Sequence, residues 1–233
     1  MKKRSIALLT VLAAYAAYAP LPAAAARMNH FIRKPRGKRQ SLAGAELFLT
    51  FDDGPDPVHT PELLEVLREN GVHATFFMVA DFAQANPDIV ARVQEEGHLI
   101  GLHAASHTCA LQMGPRRTKE DLNRAFSIME KLGVTVTYYR APWGLINRTL
   151  AGELAKRGVE TVFWDVMTED WRGDTTAEII AGKLRRRTRS GSVVCLHDGR
   201  GKNNAPERTI RALRDVLPQW KAEGCRFLRL DER

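Results

Sequence analysis

The chain has 233 residues, of which 44% are apolar and 27% charged, with a formal net charge of +8. That length holds one large domain or two small ones, and the apolar share is ordinary for a globular protein with a full core. The charge favours anionic partners or surfaces, and three cysteines without C-x-x-C spacing exclude a cysteine metal or redox motif. Lys2, Lys3 and Arg4 open a positive n-region, Ser5 to Ala19 is an apolar run, and Pro20 to Ala26 is rich in small residues. Residues 1–26 therefore read as a secretory signal peptide, cleaved near Ala25 or Ala26. An N-terminal membrane anchor is the rival reading, for which the apolar run is short. Either reading places the globular part outside the cytoplasm, secreted or on the outer face of the cytoplasmic membrane. Residues 27–44 are basic without a single acid and read as a linker suited to membrane or cell-wall association.

From Glu46 onward, short β-branched or apolar runs alternate with amphipathic stretches. The strand candidates are 46–51, 74–79, 99–103, 136–140, 160–164, 192–196 and 226–230. Helix candidates lie near 60–70, 87–96, 118–132, 146–157, 175–188 and 206–223. Thr60 before Pro61 reads as a helix N-cap, and Asn86 before Pro87 repeats the signal. Gly71, Gly97, Gly133, Gly158 and Gly224 each follow a helix pattern, where a left-handed residue commonly ends one. Seven strands alternating with six helices call for a parallel sheet with helical crossovers. An open doubly wound sheet and a (β/α) barrel both fit. No G-x-G-x-x-G and no Walker loop is present, which weakens the nucleotide-binding form of the open sheet.

Ionisable residues recur at the strand ends. Asp52 and Asp53 follow the first strand, His103 and His107 the third, Arg140 the fourth, Asp165 and Asp170 the fifth, and His197 and Asp198 the sixth. In a β/α barrel those ends share one rim, where active sites form. Asp-Asp before Gly-Pro alone is turn chemistry, and His59, His73 and His98 carry no signal beyond core or surface residues. The pair in HAASH is different, because a helical turn places imidazoles four apart on one side. Two histidines and a carboxylate make a ligand set for an open metal site. A metal so held polarises a carbonyl and activates water, leaving the other aspartate as base and a distant histidine as acid. Spacing alone does not say which aspartate does which.

TFDDGP (50–55), HAASH (103–107), RAPWG (140–144), DVMTEDW (165–171) and CLHD (195–198) resemble, in order, the five motifs of the polysaccharide deacetylases, the NodB-homology group or carbohydrate esterase family four. The resemblance implies a catalytic domain over 45–233, folded as a distorted (β/α) barrel of about seven units. It implies metal-dependent removal of N-acetyl groups from an amino-sugar polymer. On this chain, Asp52 is then the general base, Asp53, His103 and His107 the metal ligands, and Arg140 the residue that fixes Asp52. His197 is the general acid and Asp170 the group that sets its pKa. The Trp143 backbone N–H helps hold the oxyanion, and Pro142, Trp143, Trp171 and Leu196 contact substrate. Two positions depart from the pattern: Ala104 stands where Ser or Thr is usual, and Met167 where Asp is common. These bear on loop rigidity and substrate preference.

The expected protein is an exported, monomeric deacetylase of peptidoglycan or a chitin-like polymer. A divalent metal is implied, zinc first, with cobalt, nickel or manganese allowed by the same ligands. An O-acetyl esterase and a non-catalytic glycan-binding protein on the same scaffold are the alternatives. A nucleic-acid partner is not expected, because no binding motif is present and the chain reads as exported.

Overall fold

Strand patterns that are buried on both faces explain the architecture. The computed structural model describes residues 2–33 and 42–233; part of the basic linker, 34–41, lies outside the described residues. Helices α1 (Lys2–Tyr18) and α2 (Pro20–Arg33) come first, and α2 runs without a break across the Ala26–Arg27 boundary. Among the described residues, no helix is long and apolar enough to cross a membrane. Then follow β1 (Glu46–Asp52), α3 (His59–Glu69), β2 (Thr75–Met78), α4 (Ala80–Ala85), α5 (Pro87–Glu95) and β3 (Leu99–Leu102). The chain continues with α6 (Pro115–Lys131), β4 (Tyr138–Tyr139), α7 (Arg148–Lys156), β5 (Glu160–Thr161) and β6 (Val166–Met167). It ends with α8 (Ala177–Arg187), β7 (Ser192–His197), α9 (Ala205–Ala222) and β8 (Arg226–Phe227).

The strands pair in the order β5-β4-β3-β2-β1-β7-β6, with β8 against the start of β1. Every pairing is parallel. β1, β2 and β7 are apolar runs buried on both sides, as parallel strands with covered faces must be. One face, with Leu47, Leu49, Phe51 and Phe76, packs under the helices, while Phe48, Phe77, Val162 and Val193 fill the inside. Inside space is tight: a Cβ on Gly101 would lie 2.7 Å from the Phe77 ring.

β5 and β6 are neighbours in the chain yet opposite edges of the sheet. Residues 162–165 span the gap: Val162 N–H bonds to Tyr139 O and Asp165 N–H to Val193 O. The sheet is thus curled into a half-barrel, which decides for the barrel over the open doubly wound sheet. The run expected as one strand over 160–164 is instead a two-residue strand and a crossing. β6 inside DVMTEDW and the short α4 have too few residues to show a period, and the sequence reading did not place them.

The five expected helix-ending glycines all have positive φ. Asn86 is the N-cap of α5, though its side chain bonds Phe82 O rather than the helix start. Thr60 is not the N-cap of α3. Asp56 does that work, its Oδ1 accepting from the N–H groups of Val58 and His59, while the Thr60 hydroxyl bonds Asp198. The turn chemistry weighed for Asp52 and Asp53 therefore belongs to Asp56.

Candidate active site

β1 ends in two carboxylates with different partners. Asp52 is its last residue and Asp53 turns to φ 74, a left-handed value that only a constrained non-glycine residue holds. Asp52 faces the barrel interior and Asp53 the rim. Gly54 and Gly199 allow this turn: a Cβ on Gly54 would lie 2.2 Å from Asp198 Oδ2, and one on Gly199 2.3 Å from the Asp53 carbonyl. Burial pushes the Asp198 carboxyl beneath this turn up to about 7, well above an ordinary carboxylate.

His103 and His107 converge on Asp53. His107 Nε2 lies 2.9 Å and His103 Nε2 3.3 Å from Asp53 Oδ1. The expected helical turn is absent; a loop does the work, with Ala104 at φ 66 and His107 at φ 56. That loop is held without the usual hydroxyl at Ala104, because Ala80 N–H and Asp81 N–H bond its carbonyls and Ala105 N–H reaches Asp121. His103 Nδ1 is 2.7 Å from the Arg140 carbonyl, which makes Nδ1 the donor and leaves the Nε2 lone pair facing Asp53.

The three donor atoms fit a divalent cation. They lie within 4.8 Å of one another, and Asp53 Oδ1 is buried with no hydrogen-bond donor aimed at it. Burial would raise the Asp53 carboxyl, but the imidazoles of His103 and His107 against it hold it well below the usual carboxylate range. A second cluster, Asp52, Cys195 and His197, is similarly close but does not fit. Burial raises the Cys195 thiol, so it stays protonated, and its S–H points 3.3 Å from Asp52 Oδ2. Arg140 holds the other Asp52 oxygen.

Arg140 is fully buried, and its Nη1 donates to Asp52 Oδ1 and to Thr50 Oγ1, both at 2.7 Å. The guanidinium lies 4.2 Å from the Phe77 ring centroid, a stacking that lysine cannot reproduce. Thr50 in turn donates to Val194 O. Asp52 is thereby fixed by two strands and an arginine.

His197 ends β7 and is backed by Asp170. Asp170 Oδ1 is 3.0 Å from His197 Nδ1, and Oδ2 accepts from His197 N–H at 2.8 Å and from Thr209 at 2.9 Å. Burial would lower the imidazole, but the charge and hydrogen bond of Asp170 push it up to about 9. Burial likewise would raise Asp170, which His197 and Thr209 hold below its ordinary value. Asp170 follows β6 rather than β5, because of the crossing at 162–165.

These groups share a cleft of about 580 Å3 lined by Asp52, Asp53, His103, His107, Trp143, Trp171 and His197. The Trp143 ring stands edge-on to His107 at 4.5 Å. Arg140 and Asp170 lie behind the wall, fully buried. Leu196 and Pro142 do not line the cleft: both are buried, Leu196 because alternation along β7 turns it into the core beneath the helices. Met167, noted as a departure from the family pattern, does line it, as do Trp164, Arg27, Arg200 and Lys202, which were not singled out in the sequence. Trp164 lay within a run read as strand. Arg200 and Lys202 directly follow CLHDG, a position that is itself a signal. Arg27 had none.

The model of the family described as polysaccharide deacetylase matches residues 39–162. A peptidoglycan-N-acetylglucosamine deacetylase of Bacillus cereus is 35% identical over 79% of this chain and 85% of its own length. A chitooligosaccharide deacetylase of Sinorhizobium fredii is 34% identical over 80% of this chain and 90% of its own. The solved structure of the Bc1960 peptidoglycan N-acetylglucosamine deacetylase superposes with a TM-score of 0.76 at 31% identity, covering 81% of this chain and 87% of that one.

Proposed function

The chain belongs to the polysaccharide deacetylase family, and on that premise we propose that it is an exported, metal-dependent enzyme that hydrolyses N-acetyl groups of an amino-sugar polymer. Peptidoglycan is the first substrate and a chitin-like oligomer the second, in line with the relatives it resembles. The observation that carries the reading is the convergence in one cleft of Asp53, His103 and His107 with two differently supported groups, Asp52 on Arg140 and His197 on Asp170.

Asp53, His103 and His107 would hold the divalent ion, zinc by ligand type, with cobalt, nickel or manganese suited to the same donors. Such an ion, when bound, supplies Lewis acidity toward the acetyl carbonyl and lowers the pKa of water. Asp52 takes the proton of the attacking water, and the hydrogen bond from Arg140 holds that carboxylate in place. His197, protonated at neutral pH, gives its proton to the departing amine. Trp143 and Trp171 wall the acetyl group, and the Trp143 N–H faces the developing oxyanion. Export rests on the n-region, apolar run and small-residue segment of residues 1–26.

Acetate release decides the activity: it is expected from peptidoglycan or N-acetylglucosamine oligomers, to be lost with chelator and to return with added metal. Silence of the metal-loaded protein on every N-acetylated glycan overturns the reading, and release only from O-acetyl esters reassigns it. For export, the N-terminus of the protein recovered outside the cytoplasm is expected near Arg27. Recovery of the full chain from the cytoplasm alone counts against export.

A further inference from the structure

Three cations line the cleft without a part in the reaction: Arg27 from α2, and Arg200 and Lys202 from the loop after β7. The Arg27 guanidinium lies 5.2 Å from the Trp164 ring centroid, and its Nη2 lies 3.5 Å from where a Gly144 Cβ would stand. α2 is fastened beside it by His30 Nε2, 3.1 Å from Asp165 Oδ1 on the segment crossing between β5 and β6. The loop of Arg200 and Lys202 is held too. Arg200 sits at φ 59, Lys202 N–H bonds Trp171 O, and Arg208 donates to Lys202 O at 3.0 Å.

The negative charges of the cleft are already matched. Asp52 is paired with Arg140, and Asp53 is shared by two imidazoles; Arg200 Nε lies 3.8 Å from Asp53 Oδ2, a long contact. Among the described residues, no carboxylate pairs with Arg27 or Lys202, whereas Arg124, Arg185 and Arg226 each pair with one and Arg92 with two. A solvated charged face would put like charges on one helix. Here two elements far apart in sequence bring them to one concave surface, where charge of one sign concentrates an oppositely charged ligand.

We infer that Arg27 and Lys202, with Arg200, form a carboxylate-binding rim, so that the preferred substrate is an N-acetylated glycan carrying carboxylates rather than a neutral one. The inference rests on the deacetylase reading above and adds the substrate's charge. Guanidinium is suited to carboxylate because it can donate two parallel hydrogen bonds, and the Arg27 guanidinium sits against the Trp164 ring. Peptidoglycan has two sources of such a group, the lactyl ether on its sugar and the attached peptide.

The test measures acetate release by the metal-loaded full chain on four oligomers of matched length: neutral N-acetylglucosamine, peptide-free peptidoglycan strand, the same strand with its carboxylates reduced to alcohols, and peptide-bearing strand. The wild type is expected to show kcat/KM at least about tenfold higher on the carboxylated strand than on its reduced form, carried mostly in KM and shrinking with salt. The double variant R27Q/K202Q is expected to lose that preference while keeping its rate on the neutral oligomer within about twofold. Preference for peptide-free strand over reduced strand assigns the lactyl carboxylate, and preference confined to peptide-bearing strand assigns the peptide. No preference in the wild type, or an equal loss on charged and neutral oligomers in R27Q/K202Q, overturns the inference and leaves the deacetylase reading standing. Absence of acetate release from all four strikes at the deacetylase reading instead.

Discussion

Replacing Asp170 by Asn tests how the acid is held. Asp170 is fully buried and takes three hydrogen bonds, two of them from His197. An Asn oxygen can still accept from His197 N–H and Thr209, which turns its NH2 toward Nδ1 and favours the neutral ring. The charge that keeps His197 at about 9 is also gone, while the burial that lowers it remains. A fall from about 9 to the ordinary 6.5 or below corresponds to about 3 kcal/mol or more. At pH 8 the acid form then drops from about 90% to about 3%, so kcat/KM is expected to fall about 30-fold there and recover toward pH 5.5. The assay is the pH profile of acetate release for wild type and D170N. The raised folded-state pKa also stabilises the wild type fully below pH 6.5, and that share is lost as pH rises through about 9. Denaturation curves are thus expected to show the wild type's advantage over D170N narrowing toward pH 10. An alkaline limb that stays in place in D170N, or a loss of rate equal at every pH, refutes the assignment of His197 as an acid held by Asp170.

Asp53→Asn is expected to cut bound metal from about one ion per chain to a small fraction and to abolish acetate release, because an amide leaves two neutral imidazoles as the remaining ligands; metal analysis after dialysis checks it. Gly199→Ala places a Cβ 2.3 Å from the Asp53 carbonyl. It is expected to destabilise the fold by about 1–3 kcal/mol and to weaken metal binding, read by denaturation and metal titration. His98 is buried, and burial, with the charges of His73 and Arg229, pushes its imidazole down to about 4. The stability it contributes is present above pH 6.5 and lost as pH falls toward 4, up to about 3 kcal/mol. His98→Asn, which keeps an acceptor for Ala74 N–H, is expected to lessen the acid loss relative to wild type in denaturation curves at pH 7 and 4.5.

The chemistry was legible in the sequence because it sits in short, local signals. A strand ending in two aspartates, imidazoles four apart and CLHD after an apolar run each announce a side chain at a strand end. With five in order, they point to one rim. The parallel architecture was legible for the same reason, since apolar runs alternate with amphipathic stretches throughout. Contacts made across the barrel left no such signal. Nothing in the local pattern says that Cys195 donates to Asp52, that Thr209 on α9 supports Asp170, or that alternation along β7 turns Leu196 away from the cleft.

The sequence by itself determined the residue types of the site, their order and the αL glycines that end the helices, because these follow from spacing and backbone preference. Only the tertiary structure decided that the sheet curls into a half-barrel, since closure depends on how residues 162–165 cross between two edges that no periodicity connects. Where spacing left the two aspartates alike and only the family resemblance told them apart, the structure gives them different partners: Asp52 meets Arg140 and Asp53, after its φ 74 turn, meets the histidines. It also brought Arg27, some 170 residues from Arg200 in the chain, to the same cleft, a juxtaposition set by packing of α2 on the barrel and by no local property of either segment.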